Sequence, residues 1–395
     1  MFRLFRTKSF VYKFRRVLAF FMVLALTPML ISCGDSESDE SLADYGDYGK
    51  NIAESIAALG ARPAGSTAES QTADIVFSEL ENMLYKPERQ AVTLSSGETV
   101  YNIILRVPGT GFRTDSGVDI DDIFRDEETL KREAAKETFN KSVIIAARMC
   151  TEANENFDYS AMDGISDNAS GVAALLTFAK ELKNNRSGYD IILAFVAGGN
   201  DNFAGTRQLL ASMTDEQRNN VECFYEVRNI YGGTRLYASA GWSAIGLEDK
   251  YPLRKKAYAV TDVSIESGLF YNMGQDILLN ESNYTINSPI DQSTVLFREF
   301  SLMNSDYRVF DEQSIPVVLI ESYDYSADSA ENLLESRSPS LAETSGVIRG
   351  TSFDNTERLA SMVEKNQLRD RINATAFLLI GAMKRSPSRS VALSE

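Results

Sequence analysis

The side chains with chemical potential are few and oddly assorted. Asp167 lies in DGISDNASG (163–171), Asp201 follows a glycine turn, and Glu226 is the next-to-last residue of VECFYEV (221–227). Arg148 and Cys150 follow the apolar run SVIIAA (142–147). None of the 395 residues is histidine. That removes the commonest general base and the commonest zinc ligand together. Ser-His-Asp triads, Cys-His pairs and two-histidine metal helices are therefore excluded. Catalysis would have to use carboxylates, Lys, Tyr, Cys or a metal held through oxygen. Cys150 has no imidazole to activate it and reads as an inert thiol. Asp167, with Asn168 and Ser170 ahead of an apolar helix, has a purely structural reading as an N-cap. Asp201 is either a displaced base or a solvated loop residue.

These residues need a scaffold, and the hydrophobic pattern supplies one. Segments 49–84 read as two helices around the turn ARPAGS (61–66). Strands are expected at 100–107, 142–147, 191–197, 221–227, 256–262 and 316–322. Helices are expected at 168–183, from about Gly205, and as one long closing element at 356–384. Residues 110–140 are a charged excursion. Continuous apolar strands alternating with helices imply an α/β fold: a three-layer, mostly parallel sheet covered by helices on both faces. In such sheets the site lies beyond the carboxyl ends of the strands, here just after Ala147, Ala197 and Val227.

Charge separates the N-terminus from the rest. Arg3, Arg6, Lys8, Lys13, Arg15 and Arg16 precede an apolar run over 17–32, and no acid occurs there. The run is short for a membrane span of about 20 residues and fits a signal-peptide core. It ends Leu30-Ile31-Ser32-Cys33, the pattern of a lipoprotein signal cleaved before Cys33. An acidic tether follows, too polar to fold alone. The expected organisation is a signal peptide at 1–32, a lipidated tether at 33–48, one domain at 49–385 and a disordered tail at 386–395. Whole-chain net charge is −16, which repels phosphate backbones and argues against nucleic acid. Cys150 ends one strand and Cys223 starts another. Parallel neighbours would hold those sulfurs a strand's length apart, beyond bridging range.

The order of elements resembles the two-zinc exopeptidases that include bacterial leucyl aminopeptidases and glutaminyl cyclases, peptidase family M28. The resemblance spans about residues 50–384. It rests on LGARPAGS (59–66), YNIILRVPG (101–109), VIIAAR (143–148), DGISDNASGVAALL (163–176), the strand and glycine turn at 191–206, SDYRVFDEQSIPVVLI (305–320) and the closing helix. DGISDNASG is the most specific. The resemblance implies a zinc-exopeptidase-like domain and assigns ligand positions residue by residue. The strand at 143–147 should end Ala-His-x-Asp, and Arg148, Met149 and Cys150 stand there. Asp167 matches the aspartate that bridges the two metals. A Glu-Glu pair, one of them the general base, falls on Gly199 and Asn200, with Asp201 the nearest carboxylate. A further acidic ligand falls on Glu226, or on Asn229 if the register differs. The last histidine, four residues before Asp354, falls on Gly350. Asp306 and Tyr307 stand where the family often has Asp-His near its specificity pocket.

Both histidines and the base are thus replaced, and the family's zinc is expected to be lost. Arg148 is expected to pair with Asp167, and with Glu226 too, where the metals would otherwise sit. The functional expectation is an exported lipoprotein with an aminopeptidase-like, metal-free and non-hydrolytic domain. It would be tethered to the membrane through lipid on Cys33, at the outer membrane or cell surface of a bacterial envelope rather than the inner membrane. It would bind a peptide or protein in the inherited cleft, or act as a scaffold. Two alternatives stand beside it: an active exopeptidase with a calcium or magnesium site built from Asp167, Asp201 and Glu226, and a purely structural envelope component.

Overall fold

A computed structural model describes residues 43–114, 138–246, 250–387 and 390–392. The expected signal, the acceptor Cys33 and most of the acidic tether lie outside the described residues, as does 115–137 of the charged excursion.

Thirteen strands occur among the described residues. They are β1 (Glu88–Thr93), β2 (Thr99–Val107), β3 (Phe112–Thr114), β4 (Thr138–Phe139), β5 (Ser142–Arg148), β6 (Asp190–Val196), β7 (Val221–Val227), β8 (Arg235–Ala240), β9 (Ile277–Leu278), β10 (Thr285–Asn287), β11 (Thr294–Leu296), β12 (Val317–Tyr323) and β13 (Ser390–Ala392). Eight of them form the central sheet, in the order β1-β2-β6-β5-β7-β12-β8-β9. The four central strands β6-β5-β7-β12 run parallel. The sheet turns antiparallel at β2 on one side and at β8 on the other, so it is mixed with a parallel centre.

Strand alternation divides the apolar side chains between two layers. Val143, Ile145 and Ala147 of β5 face a core shared with α1 (Tyr48–Ala57), α2 (Thr67–Asn82), α3 (Ser170–Leu182) and the closing helices. Ile144 and Ala146 face the opposite core, built on α4 (Ala204–Ala211) and residues such as Val309 and Phe310. A short helix, α5 (Asp215–Asn220), leads into β7.

Four segments depart from the sequence reading. Residues 256–262, expected as a strand, lie within a helix, α6 (Tyr251–Glu266). Its buried residues Ala257, Val260, Thr261 and Ser264 recur at helical spacing, a period the seven-residue window was too short to reveal. A short helix, α7 (Leu269–Met273), follows it. The closing helix is two helices beyond a one-turn α8 (Arg308–Asp311): α9 (Thr356–Met362) and α10 (Gln367–Met383). They are divided where Val363 becomes extended. Within the stretch expected to be a tether, Ala43 is buried and Gly46 offers its carbonyl to Asn373. Within the expected tail, β13 pairs with β3.

Candidate functional site

The site gathers at the carboxyl ends of the central strands. Arg148 is the last residue of β5, the turn 198–203 follows β6, and Arg228 follows β7. Arg148, Asp167 and Glu226 are each almost wholly inaccessible, as is Asp306.

Parity along β5 fixes what Arg148 meets. It follows Ile144 and Ala146 onto the layer that holds residues 305–310, whereas α3 with Asp167 at its start packs on the other layer. The Arg148 Nε accordingly donates to Asp306 Oδ2 at 2.6 Å, and Nη1 lies 3.5 Å from Glu152 Oε2. Thr206 donates its hydroxyl to the other oxygen of Asp306 at 2.7 Å. The expected pairing of Arg148 with Asp167 is therefore corrected: the ion pair of Arg148 is with Asp306.

Asp167 is paired with a different arginine. Arg228 places Nε 2.9 Å and Nη2 2.7 Å from Asp167 Oδ1, and its Nη1 donates to Ser305 Oγ at 3.1 Å. Burial alone would raise the Asp167 carboxyl, but Arg228, then Arg148 and Arg349, outweigh it and hold the group below its ordinary range. Asp167 is not an N-cap. Residues Ile165–Ala169 form a π turn, and no side chain caps α3. Sequence reasoning passed over Arg228, although the strand-end rule had pointed to the residue just after Val227.

Glu226 accepts from Ser305 Oγ at 2.5 Å and from the Tyr307 amide at 2.7 Å. Burial and the neighbouring Asp306 push it up to about 7, against the pull of Arg148 and Arg228. Between the two residues left open for the acidic ligand position, Glu226 reaches this buried charge cluster. Asn229 is used structurally: its side chain accepts from Ser166 Oγ and donates to the Ser322 carbonyl.

The turn at 198–203 is pinned by Cys150. The Gly199 amide donates to Cys150 Sγ at 3.1 Å, and the thiol meets Asn200 Oδ1 at 2.8 Å. Burial pushes the thiol up to about 12, so it is not a nucleophile at neutral pH. Cys150 and Cys223 are both free and buried. Asp201 turns away toward the backbone and hydroxyl of Ser95, at 2.5 and 2.7 Å. It takes no part in the cluster, so the oxygen-ligated set of Asp167, Asp201 and Glu226 is not brought together.

Two further positions test whether a zinc pair fits. A Cβ at Gly199 would lie 2.2 Å from Arg148 Nε, so the guanidinium fills the space a side chain there would need. Gly350 has φ +69°, and a Cβ there would lie 2.6 Å from backbone atoms of Glu152 and Asn154. Neither position admits a ligating side chain without rearrangement. Asp354 accepts from the Ser166 and Asp167 amides, and burial beside Asp167 raises it well above the carboxylate range. Among the described residues, no group of three or more Cys, Asp or Glu side chains could hold a metal ion. A zinc pair does not fit the residues present.

Above the cluster lies a cavity of about 300 Å³, lined by Glu152, Asn154, Arg228, Glu335 and Arg349 among others. Glu152, half exposed at its rim, lies within 3.5 Å of Arg148 and 3.9 Å of Arg228. Beneath the turn 61–66, the buried Arg62 donates to Asn168 Oδ1 and to the Asp163 and Gly164 carbonyls, which fixes the loop carrying Asp167.

A mixed sheet with a parallel centre, helices around it and a charged cluster at the strand ends defines a zinc-exopeptidase-like α/β fold. The sequence matches the profile described as Peptidase family M28 over residues 135–343, more than half the chain, and the chain belongs to that family. It is similar to a glutaminyl cyclase from an Acidobacteriales bacterium, at 14% identity with TM-score 0.54, over 89% of this chain and 96% of that one. It is also similar to a leucine aminopeptidase precursor from Bacteroides thetaiotaomicron, at 14% identity with TM-score 0.52, over 86% and 97% of the two chains. A Zn-dependent exopeptidase from Parabacteroides distasonis aligns at 15% identity with TM-score 0.51, over 85% and 97%. At these identities the likeness is one of fold. By sequence, the chain is 28% identical over 108 residues to the alkaline phosphatase isozyme conversion protein of Escherichia coli. That match spans 26% of this chain and 31% of that protein.

Proposed function

We propose that this M28 member does not hydrolyse peptides and binds no zinc, and that it serves as a binding or scaffold protein held at the cell envelope. The observation that carries this reading is the Arg148 guanidinium against Gly199. A fixed cation occupies the space of one position of the expected Glu-Glu pair and repels a divalent ion. The other position of that pair, Asn200, cannot accept a proton from water near neutral pH. The second arginine neutralises Asp167, so the buried carboxylate is stable without a metal. The open cavity beside Arg228 favours a binding role over a purely structural one.

The test is metal analysis of purified protein together with aminoacyl chromogenic substrates, with and without added zinc and chelator. Substoichiometric metal and turnover at background support the reading. Stoichiometric transition metal with chelator-sensitive turnover would overturn it. The N-terminal pattern supports lipid attachment at Cys33 and an outer-membrane or surface location. Labelled fatty acid should enter the wild-type chain and not Cys33→Ser; equal labelling of both would reject that attachment.

A further inference from the structure

A second cavity, of about 180 Å³, opens beside the first, and Arg349 lines both. Its remaining walls include Leu302, Met303, Tyr323, Tyr325 and Leu333, with Glu321 of β12 among the lining residues. Glu321 is wholly buried. Its Oε1 accepts from Ser301 Oγ at 2.7 Å and Tyr325 OH at 2.8 Å, while Oε2 has no partner. The nearby cation, Arg349, attracts Glu321 but makes its ion pair with Glu335. Arg349 donates Nε to Glu335 Oε1 at 2.6 Å, and Glu335 Oε2 also takes the Ile348 and Arg349 amides. Among the described residues, Glu321 has no ion pair.

An unpartnered buried carboxyl oxygen in a native site calls for a missing partner. The volume is below the roughly 300–1,000 Å³ of pockets that enclose a whole small molecule, so it suits a single side-chain-sized group. Aromatic walls favour a cation over an anion, since ring faces are electron-rich. Tyr323 and Tyr325 stand with ring centroids 4.9 Å apart at this pocket. The strongly acidic chain draws cations toward its surface.

The geometry points to a subsite for an alkyl-ammonium or guanidinium group on an apolar stem, with Glu321 as its counter-ion and Tyr323, Tyr325 and Leu333 against the stem. The source is the basic side chain of a peptide lying in the larger cavity, or a free organic amine. Burial raises the Glu321 carboxyl above its ordinary range against the pull of Arg349.

The inference rests on reading the cleft as a binding site, but its test is separate from metal content and turnover. Full-length protein in detergent is titrated, with ligand-observed NMR, against Nα-acetyl-lysine methylamide, its uncharged norleucine counterpart, the glutamine counterpart and cadaverine. The lysine compound or cadaverine should bind at least about tenfold more tightly than the norleucine and glutamine compounds, as a charge-assisted hydrogen bond supplies. The tighter of the two cations identifies the source. Glu321→Gln, which keeps the shape and the accepting oxygen, should abolish the preference. Equal binding of charged and uncharged compounds, or no binding of either cation, overturns the proposal. The ligand comparison on the wild-type protein stands even if the variant does not fold. A metal-free, inactive protein that ignores the amines sinks only this subsite; a zinc-loaded hydrolase that binds them sinks only the non-hydrolytic reading.

Discussion

Replacing Arg228 by Met is the sharpest probe of how the charge cluster is held together. Met preserves much of the volume and removes the charge. The substitution deletes the contacts at 2.9 and 2.7 Å to Asp167 Oδ1 and the bond to Ser305. Both partners are almost fully buried, with side chains 4% and 1% exposed, so solvent cannot take over the pairing. Removing one partner of a buried ion pair costs about 3–5 kcal/mol, because the other charge is left uncompensated. That is a large share of a total stability of about 5–15 kcal/mol. Adding Asp167→Asn removes the stranded charge and should bring the double variant to within about 2 kcal/mol of wild type. Urea unfolding of the four proteins, with slopes checked for constancy, measures the cycle. The pH dependence carries its own sign. In wild type the Asp167 carboxyl is depressed, so its stabilising contribution is present above the unfolded value of about 3.9 and fades as pH falls. In Arg228→Met burial is opposed only by Arg148 and Arg349, so the carboxyl rises from its wild-type position and the stabilisation it lends above about 3.9 shrinks. The gap between the two proteins should therefore narrow in acid. A loss under about 1 kcal/mol, or strictly additive single losses, would refute the idea that Arg228 carries the charge compensation.

Three further outcomes follow from the same geometry. Gly199→Ala drives a methyl group into Arg148 and should cost about 1–3 kcal/mol in urea unfolding; a neutral substitution would show that the arginine is not fixed there. Gly350→Ala combines a left-handed backbone with contact against the backbone of Glu152 and Asn154, and should cost about 2–3 kcal/mol; an unchanged unfolding midpoint would contradict the closed position. Glu226, raised to about 7, makes a contribution fully present below its unfolded value of about 4.3 and lost as pH climbs through 7. The loss is on the order of 4 kcal/mol at 1.36 kcal/mol per unit. Glu226→Gln should flatten that part of the stability profile between about pH 4 and 7, and an identical slope in both proteins would refute the assignment.

Much of this organisation was legible in the residues alone. Absence of histidine is a property of composition, and no fold can restore an imidazole. Continuous apolar strands between helices dictated the layered α/β arrangement, and the strand-end rule placed the site after residues 147, 197 and 227. The motif DGISDNASG pointed to the family, and the resemblance set expected ligand positions at Gly199 and Gly350. What the sequence left open was which charges meet. Arg148 and Asp167 are 19 residues apart, and only the β5 pleat shows that Arg148 points to the layer opposite the one where the turn carrying Asp167 packs. Asp306 and Arg228 reach their partners across 158 and 61 residues, through crossovers whose lengths carry no sign of the pairing. The same holds for KAYAVTD, whose apolar run fits strand or helix until a longer packed window decides. Composition and periodicity determine which groups are present and which layer they can build. Only the close packing of strand ends, where burial forces every charge to find a specific partner, decides how those groups neutralise one another.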